Sequence, residues 1–123
     1  MSFGEYFREL RKKKNKKQKD IADCIGKTTM LVSGVENGKN GPFNTEDLLK
    51  ISQYLNLNES EEEDLLIEAA IERGSIPDNL MEYMRQFRKT YILLSTLRKN
   101  KYDDKDILEL VNKLEEKKDA KND

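Results

Sequence analysis

Histidine and tryptophan are missing from this 123-residue sequence, and cysteine occurs once, at Cys24. The lack of histidine removes the commonest general base near neutral pH and the commonest metal ligand. A histidine-based triad and a Cys/His zinc site are therefore excluded, and no catalytic or metal-ligating residue is assigned. A single cysteine excludes an intramolecular disulfide, and Cys24 reads as a packing or half-exposed side chain. No apolar run approaches the roughly 18 residues of a membrane span, and the N-terminus lacks the apolar centre of a signal peptide. The expectation is a soluble, cytoplasmic protein with no membrane partner and no cofactor. Strand signals are nearly absent too, since no alternating run is enriched in β-branched residues.

Charge is abundant, at 38% of residues, and the net value of -1 conceals a division. Residues 1–56 hold 11 Lys/Arg against 7 Asp/Glu, whereas residues 57–123 hold 12 against 17. A basic front and an acidic rear point only the front half toward a polyanion. Much of the basic excess lies in "RKKKNKKQK", where seven of nine residues are basic.

Helical period recurs along the chain. Phe3, Phe7 and Leu10 form one stripe, and Ile21, Ala22 and Ile25 a second. Leu31, Val32 and Val35 form a third, and Leu48, Ile51 and Leu55 a fourth, with Asn44 as its cap and Asp47 at the third position. A fifth helix is expected from "SEEEDLLIEAA", with Ser60 and Glu63 in capping-box spacing. "RGSIPDNL" is the clearest break, and Pro77 is placed to begin a long helix. In that helix Leu80, Met84, Phe87, Tyr91 and Leu94 are spaced four, three, four, three, a short heptad-like seam. A last helix follows "NKYDDKD". The reading is all-α, with a domain over residues 1–73 and a two-helix C-terminal extension over 74–123.

Within "QKDIADCIGKTTMLVSGVENG", Ala22 is small enough for two helices to cross, and Gly26 can adopt the positive φ of a tight inter-helix turn. These are the constraints of a helix-turn-helix. The stretch resembles the lambda-repressor-like, Xre-type DNA-binding domain, and the resemblance extends over about residues 3–70. "GEYFRELRKKK" matches the family's opening pattern, Gln18 begins the helix before the turn, "ENGK" follows the next helix, and "LLKISQYLNLN" supplies the fourth. The resemblance implies a five-helix domain whose third helix, about residues 28–36, lies in the major groove of double-stranded DNA. By position it implies that Thr29, Met30, Ser33 and Gly34 face base edges, and that Gln18, Asn37, Lys39 and Thr28 hold phosphates. Lys16, Lys17 and Lys27 are further phosphate candidates.

Three departures stand out. Lys16 and Lys17 replace the usual apolar residue and Thr/Ser cap before Gln18, which forgoes a cap worth about 1 kcal/mol. Lys27 stands where an apolar residue is usual. Gly34 lies inside the reading helix at about 1 kcal/mol relative to Ala. The helix is also bland: Thr29 and Ser33 offer short hydrogen bonds, Met30 packs on thymine methyls, and a side-chain-free Gly34 would admit the backbone close to the groove. Modest direct readout, reliance on phosphates and preference for A·T-rich or deformable sites follow.

Two functions are open at this stage. One is a dimeric transcriptional regulator, a repressor on an inverted-repeat operator, with a homodimer interface at Leu80, Met84, Phe87, Tyr91 and Leu94. The other turns the same scaffold toward a protein partner, as an antitoxin or phage-type inhibitor, with Met30 and Leu31 as the gripping residues. An enzyme has no converging residues behind it.

Overall fold

A computed structural model describes residues 1–122. Eight α-helices follow in order: α1 Phe3–Lys13, α2 Gln18–Ile25, α3 Thr29–Glu36, α4 Thr45–Tyr54, α5 Glu59–Arg73, α6 Asp78–Gln86, α7 Lys89–Lys99 and α8 Asp104–Asn122. No strand occurs among the described residues. Contacts divide the chain between Asn79 and Leu80 into two compact units. The division lies beyond the Gly74–Pro77 break because Ser75 is tied back to α5, its N–H donating to the Ala70 carbonyl at 2.9 Å.

In the first unit the expected stripes form the core. Phe3, Phe7, Ile21, Ala22, Ile25, Val32, Val35, Leu48, Ile51 and Leu55 are buried, joined by Leu65 and Ala69 of α5. Leu10 and Leu31 are half-buried against them. The loop between α3 and α4 adds Phe43, whose ring meets Phe7 edge-on at 5.0 Å between centroids. Arg73 anchors that loop by donating to the carbonyls of Pro42 and Phe43. α1 crosses the end of α3 closely enough that a Cβ at Gly4 would lie 2.4 and 2.5 Å from the carbonyl oxygens of Glu36 and Val35.

Helix starts follow local chemistry. Asn44 caps α4 as expected, accepting the Asp47 N–H at 2.8 Å. α5 begins earlier than its Ser60/Glu63 spacing suggests. Asn58 accepts the Glu61 N–H at 2.8 Å and Glu61 accepts the Asn58 N–H at 3.1 Å, so the capping box sits two residues upstream. Asn is as good a cap as Ser, and α4 is closed off at once by Asn56 with φ 53°.

In the second unit the expected long helix is interrupted, so the extension contains three helices, not two. The break lies at Phe87–Arg88, between α6 and α7. The Thr90 hydroxyl donates to the Phe87 carbonyl at 2.7 Å and its N–H to the same oxygen at 3.0 Å, replacing the α-helical pattern with a tighter turn. Arg85, Arg88 and Lys89 would also stack like charges at i, i+3 and i+4 of an unbroken helix. The proposed seam therefore does not run along one helix: Leu80 and Met84 lie on α6, Phe87 in the break, and Tyr91 and Leu94 on α7. From Leu80 to residue 119 no residue is buried.

Candidate nucleic-acid interface

The candidate interface consists of α2, the turn and α3. Gly26 ends α2 in the left-handed conformation, φ 67°, and the Lys27 N–H closes the turn on the Ala22 carbonyl at 2.9 Å. Thr28 then caps α3, its hydroxyl oxygen accepting the Leu31 N–H at 3.1 Å. That hydroxyl is exposed and keeps its own proton for an outside acceptor. Along α3, Val32 and Val35 point into the core while Thr29 and Met30 are exposed and Ser33 is half-buried. Met30 is 83% exposed. The outward side of the helix is open to solvent over its first turn.

Gly34 departs from the expectation. It is buried, because the Asn40 side chain lies across it. The backbone at Gly34 is therefore covered and does not offer the close approach its missing side chain suggested.

The candidate phosphate residues fall into two groups. Lys17, Thr28, Asn37 and Lys39 are exposed around the ends of α2 and α3. Asn37 is exposed and accepts the Lys39 N–H on its Oδ1 at 3.0 Å, which fixes the turn after α3 and engages its oxygen, not its amide nitrogen. Lys16 and Lys27 are differently placed. The Lys16 ammonium sits 5.0 Å from the centre of the Tyr54 ring. Lys27 is drawn instead to α4, where its ammonium pairs with the nearly buried Asp47 carboxylate. An apolar residue at position 27 would leave Asp47 without this partner, which accounts for the departure noted there.

The cap missing before α2 is supplied in part from inside. Lys17 contributes no side-chain cap, but the Asp20 carboxylate accepts the Lys17 N–H at 2.8 Å.

Gln18 leads to a network that sequence reading did not identify. Its Nε2 donates to Glu36 Oε1 at 3.1 Å. The Glu36 side chain is fully buried, and Arg11 donates to it twice, Nε to Oε2 at 2.7 Å and Nη2 to Oε1 at 2.9 Å. Arg8 adds a longer contact at 3.4 Å. Burial alone would push the Glu36 carboxyl up, but hydrogen bonds from Arg11, Gln18 and Arg8 with the Arg11 charge outweigh it and hold the carboxyl below its usual range. The same contact raises the Arg11 pKa. The network joins α1, α2 and α3, and places Gln18 beside the end of α3. Arg11 is hidden in sequence at the head of the basic run, 25 residues from its partner.

Elsewhere the chemistry is quiet. Burial pushes the Cys24 thiol up, and its Sγ contacts the Lys50 carbonyl at 3.5 Å. Among the described residues no helix is long and apolar enough to cross a membrane.

A family model described as helix-turn-helix matches residues 7–61. No curated protein and no solved structure matches the chain.

Proposed function

Because a helix-turn-helix family model matches residues 7–61 and the same stretch resembles the Xre, lambda-repressor-like type of DNA-binding regulator, we propose that this chain is a dimeric repressor reading an inverted-repeat operator. The observation that carries the reading is the open outer side of α3, bordered at both ends by exposed amide and ammonium donors. Thr29, Met30 and Ser33 meet base edges, while Lys17, Gln18, Thr28, Asn37 and Lys39 engage the phosphates on either side. The net positive front half adds sequence-independent attraction that weakens steeply with salt. Lys16 contributes charge from its place over Tyr54.

Dimerisation is supported by the second unit. It has no buried side chain between Leu80 and residue 119, and Phe87, Tyr91 and Leu94 are each about half exposed. Units of about 40 residues rarely hold together without a partner, a metal or disulfides. A second copy offers matching apolar surface and gives the two reading heads that a palindromic site requires.

The 123-residue chain is titrated against duplexes holding one half-site or two in inverted repeat, both taken from selection out of a random pool. The reading requires an enriched palindrome, tighter binding to the paired site and weakened binding by Gln18→Ala. Equal binding of wild type and Gln18→Ala to random duplexes would overturn it.

The exposure of Met30 favours a second reading, in which α3 grips a protein partner through Met30 and Leu31. Salt separates the two: phosphate-driven binding fades between 50 mM and 200 mM salt, whereas an apolar grip persists.

A further inference from the structure

Gly34 lies one turn beyond Met30 on the reading helix, and something else occupies the place of its side chain. A Cβ built there would fall 2.3 Å from Asn40 Nδ2, 3.0 Å from its Cγ and 3.6 Å from its Oδ1. The Asn40 carboxamide thus fills the position that a side chain at residue 34 would take. The loop is held in place there: the Asn40 N–H donates to the Gly34 carbonyl at 3.0 Å, after Gly38 turns the chain with φ 84°.

Three carboxamides surround α3, and their hydrogen bonds distinguish them. Gln18 has its amide nitrogen on Glu36. Asn37 has its oxygen on the Lys39 N–H. The Asn40 side chain makes no hydrogen bond among the described residues, and Asn40 is exposed. Its capping role is performed by the backbone alone. It is the carboxamide beside the reading face with both its donor and its acceptor available.

We propose that Asn40 is a specificity-determining residue, a loop carboxamide laid over Gly34 that reads an adenine edge in the major groove. The inference rests on the DNA-binding reading above. Adenine presents the N7 acceptor and N6 donor that complement an amide, while Thr29, Met30 and Ser33 carry no such pair. Gly34 is then required in the helix because only its empty side admits the amide.

The test is selection of bound duplexes from a random pool with the full chain and its variants Asn40→Ala, Asn40→Asp and Gly34→Ala, each checked for helicity by circular dichroism. The wild type enriches a motif with a strongly preferred adenine. Asn40→Ala loses about tenfold or more of the preference at that position and leaves the others unchanged. Asn40→Asp, which only accepts, moves the preference to cytosine. Gly34→Ala displaces the amide and weakens the same position while retaining the fold, since only the end of a flexible side chain must move. If Asn40→Ala selects the wild-type motif with every position equally strong, the inference falls and the regulator reading stands. If the wild type itself enriches no motif, both fall.

Discussion

Arg11 and Glu36, 25 residues apart, grip each other through a doubly hydrogen-bonded ion pair whose carboxylate is wholly buried. The pair binds α1 to the last turn of α3, and Gln18 leans on the same carboxylate. Removing one member leaves the other charged and buried, so Glu36→Gln is expected to lower stability by about 3 kcal/mol at pH 7, measured by urea unfolding.

Acid should act on the same pair. The Glu36 carboxyl is held below its ordinary 4.5 in the folded chain. Its contribution is therefore complete above that ordinary value and is lost as pH falls through the folded one. Wild-type stability should decline through this acidic window, and Glu36→Gln should decline less. Unfolding free energies at pH 7, 5, 4 and 3 check the difference; parallel curves would show that Glu36 does not carry the acid response.

Glycine substitutions should rank by what surrounds them. Gly4→Ala drives a methyl into two backbone carbonyls that cannot yield without moving α3, at about 1–3 kcal/mol or more. Gly26→Ala meets no atom but is strained at φ 67°, at roughly 1–2 kcal/mol. Gly34→Ala displaces only an amide and gains helix propensity of about 1 kcal/mol. Thermal melts should order the three with Gly4→Ala lowest and Gly34→Ala at or above wild type.

The two lysine environments make opposite forecasts for DNA binding. Lys39→Ala should reduce the slope of log K against log salt by about 1, as loss of one phosphate contact does. Lys27→Ala should leave that slope nearly unchanged and lower stability instead, because its ammonium faces Asp47. Anisotropy titrations at several salt concentrations, with a melt of each variant, distinguish them.

The rear helices carry the association forecast. Phe87→Asp and Leu94→Asp place charge on half-exposed apolar positions of a unit that has no buried residue up to 119. On the dimeric reading, sedimentation should show a dimer for the wild type and monomers for both variants, with their binding to a paired site reduced toward that of one half-site.

Much of this was legible in the residues, and the parts that were not share a cause. The apolar stripes of α1 to α4, the Asn44 cap and the turn at Gly26 are local signals, and local signals survive folding. The ion pair of Arg11 was masked by a run of neighbouring cations, and nothing in the spacing links it to Glu36. Gly34 presented as an opening, but a residue six positions away fills it. The break at Phe87 has neither Gly nor Pro; it arises from the Thr90 hydroxyl, which is indistinguishable in sequence from any helical threonine. Long-range pairing and side-chain competition for backbone carbonyls leave little trace in periodicity.

The contact of Gly4 with the carbonyls at the end of α3 has a mechanical consequence. With no layer of side chains between the two backbones, α3 cannot tilt or slide without dragging α1 along. A probe so firmly braced has little compliance of its own. On the DNA-binding reading, any mismatch of shape must be taken up by the duplex, and a target with easily kinked pyrimidine–purine steps yields where a stiff one resists.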